Sequence, residues 1–198
     1  MDLQLKGKVA VVTGGTKGIG RGIANSLAGE GVDLVINYRS NPEDAEKAAQ
    51  EIRDTYGVEV LLVQGDAGKQ ETVDAVFDAA MKKFGKVNIL INNAGGGGAK
   101  TPTDFEELSY EDWKACQDNT LNGQFRYCQK FVAYWKQNKM EGHIVNVLSK
   151  SCFMTNSIRN QAYASAKGGL TALTRSLANE VIHYGIYVNG IIPGYVQT

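Results

Sequence analysis

The sequence predicts a doubly wound α/β fold, an open parallel sheet covered by helices on both faces. Three observations carry that reading. Short β-branched runs alternate with longer stretches of helical period along the chain. The short runs are apolar at consecutive positions, as strands are when both sheet faces are covered. A glycine-rich turn joins the first run to the first helix, the place where such sheets receive ligands.

The elements follow in order. VAVVTG (9–14) is the first strand, and after the glycine turn Ile19, Ile23 and Leu27 recur at four-residue spacing on a helix. DLVINY (33–38) is the second strand, after which Asn41 and Pro42 open a helix as N-cap and first-turn residue. VEVLLVQGD (58–66), VNILINNAG (87–95), HIVNVLS (143–149) and IYVNGIIPG (186–194) complete six strands. Helices are expected over 69–84, 109–138 and 160–184, and GGGGAKTPTD (95–104) reads as a flexible stretch. There is no internal repeat, charge block or linker, so residues 1–198 are expected to form one domain.

Composition narrows the function. Twenty-one Lys and Arg balance 21 Asp and Glu, which removes the basic footprint of a nucleic-acid or anionic-membrane binder. No apolar run is long enough to span a bilayer, and MDLQLKGK lacks a signal-peptide core. Cys116, Cys128 and Cys152 form no CxxC pair, and two histidines, His143 and His183, give no zinc spacing. The expectation is a cytoplasmic protein with no metal, no nucleic acid and no membrane partner. The 23 glycines follow no period, so they serve particular turns.

Ligands in an open parallel sheet bind beyond the carboxyl ends of the strands. The first of these ends carries TGGTKGIG, in which Gly14, Gly18 and Gly20 permit a tight turn and close backbone approach. The helix that follows points its amide-rich N-terminus at an anion such as a phosphate. The spacing is GxxxGxG, and by itself it also suits plain strand-to-helix packing. Tyr163 and Lys167, in YASAK, stand four apart on one helix face. An ammonium beside a phenol lowers the phenol's pKa and makes it a useful acid or base. These residues alone reach a nucleotide-binding α/β protein with a candidate acid/base pair.

TGGTKGIG, NNAG (92–95), a serine ending the fifth strand (Ser149), YASAK and PGYVQT (193–198) occur in that order. Together they resemble the short-chain dehydrogenase/reductase family over essentially the whole chain, and its 3-oxoacyl-thioester reductases most in NYRS and NNAG. The resemblance implies a Rossmann-type domain and a hydride transfer between a nicotinamide cofactor and a small carbonyl or alcohol substrate. It makes Tyr163 the general acid/base, Lys167 its partner and a ribose ligand, and Ser149 the holder of the substrate oxygen. Ser151 is an alternative two residues on; Ser149 is preferred because HIVNVLS aligns as the strand. It assigns the cofactor to Gly14, Thr16, Lys17, Gly18, Ile19 and Gly20, then to Tyr38, Arg39 and Ser40. Asp66 and Ala67 follow the third strand, and Asn93, Ala94 and Gly95 the fourth. Pro193, Gly194, Val196 and Thr198 close the set with Tyr163 and Lys167.

The second strand ends Asn37-Tyr38-Arg39-Ser40 without the acid that would hold an adenosine 2′-hydroxyl. Arg39, joined by Lys17, suits a 2′-phosphate, so the cofactor is expected to be NADP(H). The alternatives are an alcohol, steroid or sugar dehydrogenase running oxidatively, and a catalytically weak NADP-binding regulatory relative.

The family's NLxGxF pattern has Thr120 where an asparagine is usual, and on a regular helix Asn119 lies about 100° away. The unbroken register of Leu121, Gly123 and Phe125 favours a regular helix here, with Asn119 outside the site; the alternative is a local bulge that restores Asn119 to it. Both histidines are expected to be structural, Cys116 and Cys128 to be half-buried packing residues, and Cys152 to lie near the active-site mouth. Trp113, Phe125, Phe131 and Trp135 serve either the core or the partner-subunit contact the family makes, and a homo-oligomer is expected. The family's substrate-covering segment and seventh strand are not in this sequence.

Overall fold

The computed structural model describes residues 2–96, 104–154 and 159–196. Six strands, β1 (Val9–Thr13), β2 (Asp33–Tyr38), β3 (Val60–Gln64), β4 (Ile89–Asn92), β5 (Gly142–Val147) and β6 (Ile186–Ile191), form one sheet. All pairs are parallel and the order is β3-β2-β1-β4-β5-β6. The chain therefore reverses its winding direction between β1 and β4, and a crevice opens there at the carboxyl ends.

Helices α1 (Gly18–Gly29) and α2 (Pro42–Tyr56) cover one face, while α3 (Gln70–Phe84), α5 (Gly123–Asn138) and α6 (Gln161–Val181) cover the other. Successive strand residues serve opposite layers, as a pleat requires. Ala10 and Val12 pack with Ala24, Ala28 and Ile52, whereas Val9 and Val11 pack with Val76, Phe131 and Trp135. That division explains why the strands read as continuous apolar runs.

One local expectation is corrected. The stretch 109–138 is not one regular helix: α4 (Tyr110–Gln117) passes into a π-helical turn at Asp118–Asn122 before α5 begins. The cause is tertiary. Gly123 lies so close to the Ala67 carbonyl that a Cβ would collide with it, and Thr120 hydrogen-bonds Gly96 beyond β4. An extra residue in the turn lets the helix meet both constraints. Asn41 is the N-cap of α2 and Pro42 its first residue, as expected, although the Asn41 backbone is left-handed (φ 60°) and its side chain makes no capping bond. Asparagine tolerates that conformation better than most residues, and the Asn41 carbonyl still accepts from Ala45 N–H at 3.0 Å.

Candidate active site

The rim of the sheet is polar where its body is not. Thr13, Asn37, Asn92 and Asn146, all at strand carboxyl ends, are 0–1% exposed and hydrogen-bonded. Thr13 and Asn93 fasten β1 to the segment after β4. The Thr13 hydroxyl accepts from Asn93 N–H and Ala94 N–H at 3.0 and 2.9 Å, and Asn93 Nδ2 donates to the Thr13 and Gly14 carbonyls. These bonds make the floor of a cleft of about 900 Å³ that reaches from Arg39 to Tyr163.

One end of the cleft is built from the glycine turn. Gly14 and Gly18 hold positive φ of 64° and 56°, which favours glycine, and Gly20 has no room for a Cβ against the Gly14 carbonyl. The first bond of α1 runs from Arg21 N–H to the Lys17 carbonyl at 3.1 Å. The Gly18, Ile19 and Gly20 amides therefore lack partners within the helix and are available to an anion. Thr16, Lys17, Tyr38, Arg39 and Ser40 line the same end. Among the described residues, neither Lys17 nor Arg39 is in a salt bridge.

The other end holds Ser149, Tyr163 and Lys167. The Ser149 hydroxyl donates to Ser151 Oγ and accepts from Ser151 N–H, each at 3.1 Å, and it is near enough to the Tyr163 phenol to act on its pKa. Lys167 is 2% exposed and its Nζ donates to the Val147 carbonyl. Burial lowers the Lys167 pKa to about 8.

Tyr163 departs from expectation. Its pKa is raised, by burial first, against a smaller lowering by the Ser149 hydrogen bond. Burial rather than Lys167 sets the direction of the shift: the ammonium lies 5.7 Å from the phenol's ring centroid and donates to the Val147 carbonyl. A raised phenol stays protonated at neutral pH, which makes it a proton donor.

The sequence profile of the short chain dehydrogenase family matches residues 8–198. The chain belongs to the short-chain dehydrogenase family. It is 41% identical to 3beta-hydroxysteroid dehydrogenase 1 of Eggerthella lenta, over 98% of this chain and 72% of that protein. It is 33% identical to a 3-oxoacyl-[acyl-carrier-protein] reductase of Synechocystis, over 98% and 76%. L-sorbose reductase of Gluconobacter frateurii, in complex with NADPH and L-sorbose, superposes with a TM-score of 0.91 at 32% identity, covering 100% of this chain and 73% of that one. As a short-chain dehydrogenase the chain is an oxidoreductase, and the family's cofactor is NAD or NADP. The glycine cradle, the free amides and the cations at one end of the cleft suit such a dinucleotide.

Asp66, Ala67, Asn93, Ala94, Gly95, Pro193 and Gly194 line the cleft with the glycine turn. Val196 instead borders a shallow apolar groove shared with Ile19, Ile23 and Ile192, and Thr198 lies outside the described residues. Asn119 also lines the cleft, as the bulge alternative has it and contrary to the favoured regular helix, with the π turn at Asp118–Asn122 as the irregularity. Thr13 and Gln124 are missed by sequence reasoning as site residues, and Thr120 is singled out there only as the occupant of the family's asparagine position. The four-residue spacing of Thr120 and Gln124 on a helix face that is otherwise apolar was the available signal.

The other side chains resolve simply. Cys116 and Cys128 are fully buried at 1% and 2%, and Cys152 donates to the Ser149 carbonyl at 2.9 Å. Phe131 and Trp135 belong to the core, whereas Phe125 is exposed. His143 pairs with Glu141 and stacks on Tyr187, away from the cleft. Among the described residues no cluster could hold a metal, and no helix is long and apolar enough to cross a membrane.

Proposed function

We propose that the protein is an NADP(H)-dependent oxidoreductase that reduces a ketone to a secondary alcohol, on a substrate resembling a 3-oxoacyl thioester. The observation that carries this reading is the meeting of Ser149, Tyr163 and Lys167 in one cleft with the glycine turn and the cations Lys17 and Arg39. Gly14, Thr16, Gly18, Ile19 and Gly20 would hold the pyrophosphate, and Arg39 and Lys17 the 2′-phosphate. Asp66 and Ala67 would meet the adenosine, and Asn93–Gly95 with Lys167 the nicotinamide ribose. Pro193 and Gly194 are proposed to border the nicotinamide. The bound cofactor supplies the hydride. Ser149 holds the substrate oxygen and stabilises the charge that grows on it. Tyr163, protonated at neutral pH, gives that oxygen its proton, which suits the reductive direction. The buried Lys167 ammonium favours the phenolate left behind.

A second reading, a steroid dehydrogenase, is favoured by the 41% identity with the Eggerthella enzyme. Steady-state assays with NADPH and NADH across β-ketoacyl thioesters, ketosteroids and keto-sugars separate the two. Turnover on thioesters alone supports the first reading and turnover on steroids the second. Tight NADPH binding with no turnover on any carbonyl overturns both and leaves a regulatory nucleotide binder. A homo-oligomer is proposed as the working form, to be checked by light scattering.

A further inference from the structure

Behind the acid/base pair lies a buried polar group that the reaction as proposed does not use. Gln124, the second residue of α5, is 2% exposed. Its Nε2 donates to the Ala94 carbonyl at 2.7 Å. Its Oε1 is buried and, among the described residues, receives no hydrogen bond. A buried amide oxygen without a donor is costly and rare, so it marks a place where a donor belongs.

Lys167 carries donors to spare. Its ammonium has three N–H groups, and one goes to the Val147 carbonyl. The two side chains border the same point in space. A methyl carbon on Gly95 would lie 3.5 Å from Gln124 Nε2 and 3.6 Å from Lys167 Nζ. The titratable groups acting on Lys167 are Cys152 from the turn after β5 and Cys116 from α4, with the Tyr163 phenol one turn away on α6. No carboxylate is among them, so neutral oxygens must carry the stabilisation of this buried charge. The Thr120 hydroxyl, one turn before Gln124, is already spent on Gly96.

We propose that Gln124 is a positioning residue acting through Lys167: its carboxamide oxygen accepts from the Lys167 ammonium past Gly95, across at most one water, and keeps that ammonium charged inside the protein. The two ends of the carboxamide then have separate tasks. Nε2 holds the Ala94–Gly95 segment in place, and Oε1 tunes the cation. Since burial already brings Lys167 close to neutral pH, loss of one acceptor changes its charge under working conditions. The catalytic consequence rests on the function proposed above; the charge of Lys167 does not.

The test follows the Lys167 ¹³Cε NMR signal through its titration in the full chain without added nucleotide, with assignment by Lys167→Arg. Gln124→Met keeps the length and removes both amide groups, while Gln124→Glu keeps acceptor oxygens and removes the donor to Ala94. The expected result is a midpoint lowered by at least about half a pH unit in Gln124→Met and raised in Gln124→Glu. An unchanged midpoint in folded Gln124→Met overturns the proposal. Equal falls in both variants overturn it too, because they leave only the bond to Ala94. Should Gln124→Met not fold, a midpoint in Gln124→Glu that fails to rise overturns it. Where carbonyl turnover is found, the pH profile of kcat should move with the Lys167 midpoint. Failure to find any turnover sinks the proposed function and leaves the titration result standing.

Discussion

Thr120 and Gly96 exchange two hydrogen bonds: Gly96 N–H donates to the Thr120 hydroxyl at 3.2 Å, and that hydroxyl donates to the Gly96 carbonyl at 3.1 Å. The π turn thus grips the segment that leaves β4 just where it borders the cleft. Thr120→Val keeps the shape and removes both bonds, leaving the two backbone groups without these partners. Stability is expected to fall by about 1–3 kcal/mol, read as a lower urea midpoint with an unchanged slope. A Val variant as stable as the parent would show that the pair contributes nothing.

Tyr163→Phe should leave the fold and nucleotide affinity intact and reduce turnover by at least about a hundredfold, the lower end of what general acid–base catalysis supplies. Thermal melting and NADPH titration provide the controls. Full turnover in a folded Phe variant removes Tyr163 from the proposed chemistry.

Arg39→Ala should weaken NADPH by roughly 10- to 150-fold, the worth of a charge-assisted hydrogen bond, and leave NADH almost unaffected. Fluorescence titration of both nucleotides decides the matter. Equal losses would place Arg39 outside phosphate recognition.

Lys167 makes folding pH-dependent in a direction that can be worked out. Its pKa is about 8 in the folded chain against 10.5 for a free side chain. Between those values the unfolded chain binds more protons, so stability from this group rises with pH across the window. Below pH 8 its full cost is present, on the order of 3 kcal/mol. Lys167→Met should therefore melt higher than the parent at pH 7, lose that advantage towards pH 10.5, and have no useful turnover. A Met variant that melts lower at pH 7 contradicts the assignment.

Most of the fold was legible because covered strands and amphipathic helices leave strong local patterns. Five of the six strands lie within the expected runs and β5 starts one residue before its own, and the sheet order follows the doubly wound reading. What escaped depends on contacts between distant segments. The π turn at Asp118–Asn122 answers to Ala67 and Gly96, neither of which is near it in sequence. The direction of the Tyr163 shift is set by burial, which four-residue spacing with Lys167 does not reveal. The cofactor end was easier, since glycines and cations at a strand end announce their chemistry in the residue types themselves.

The Thr13–Asn93 clasp has a consequence for how the protein comes undone. Its partners stand 80 residues apart in sequence, one at the end of β1 and the other just after its sheet neighbour β4. The cradle for the dinucleotide is therefore absent from any state in which β1 and β4 have separated, whatever helices such a state retains. Ligand capture and cooperative melting become one event, and NADPH should raise the transition temperature by mass action on the native state alone. Nucleotide binding that outlasts the loss of sheet structure during denaturation would contradict this.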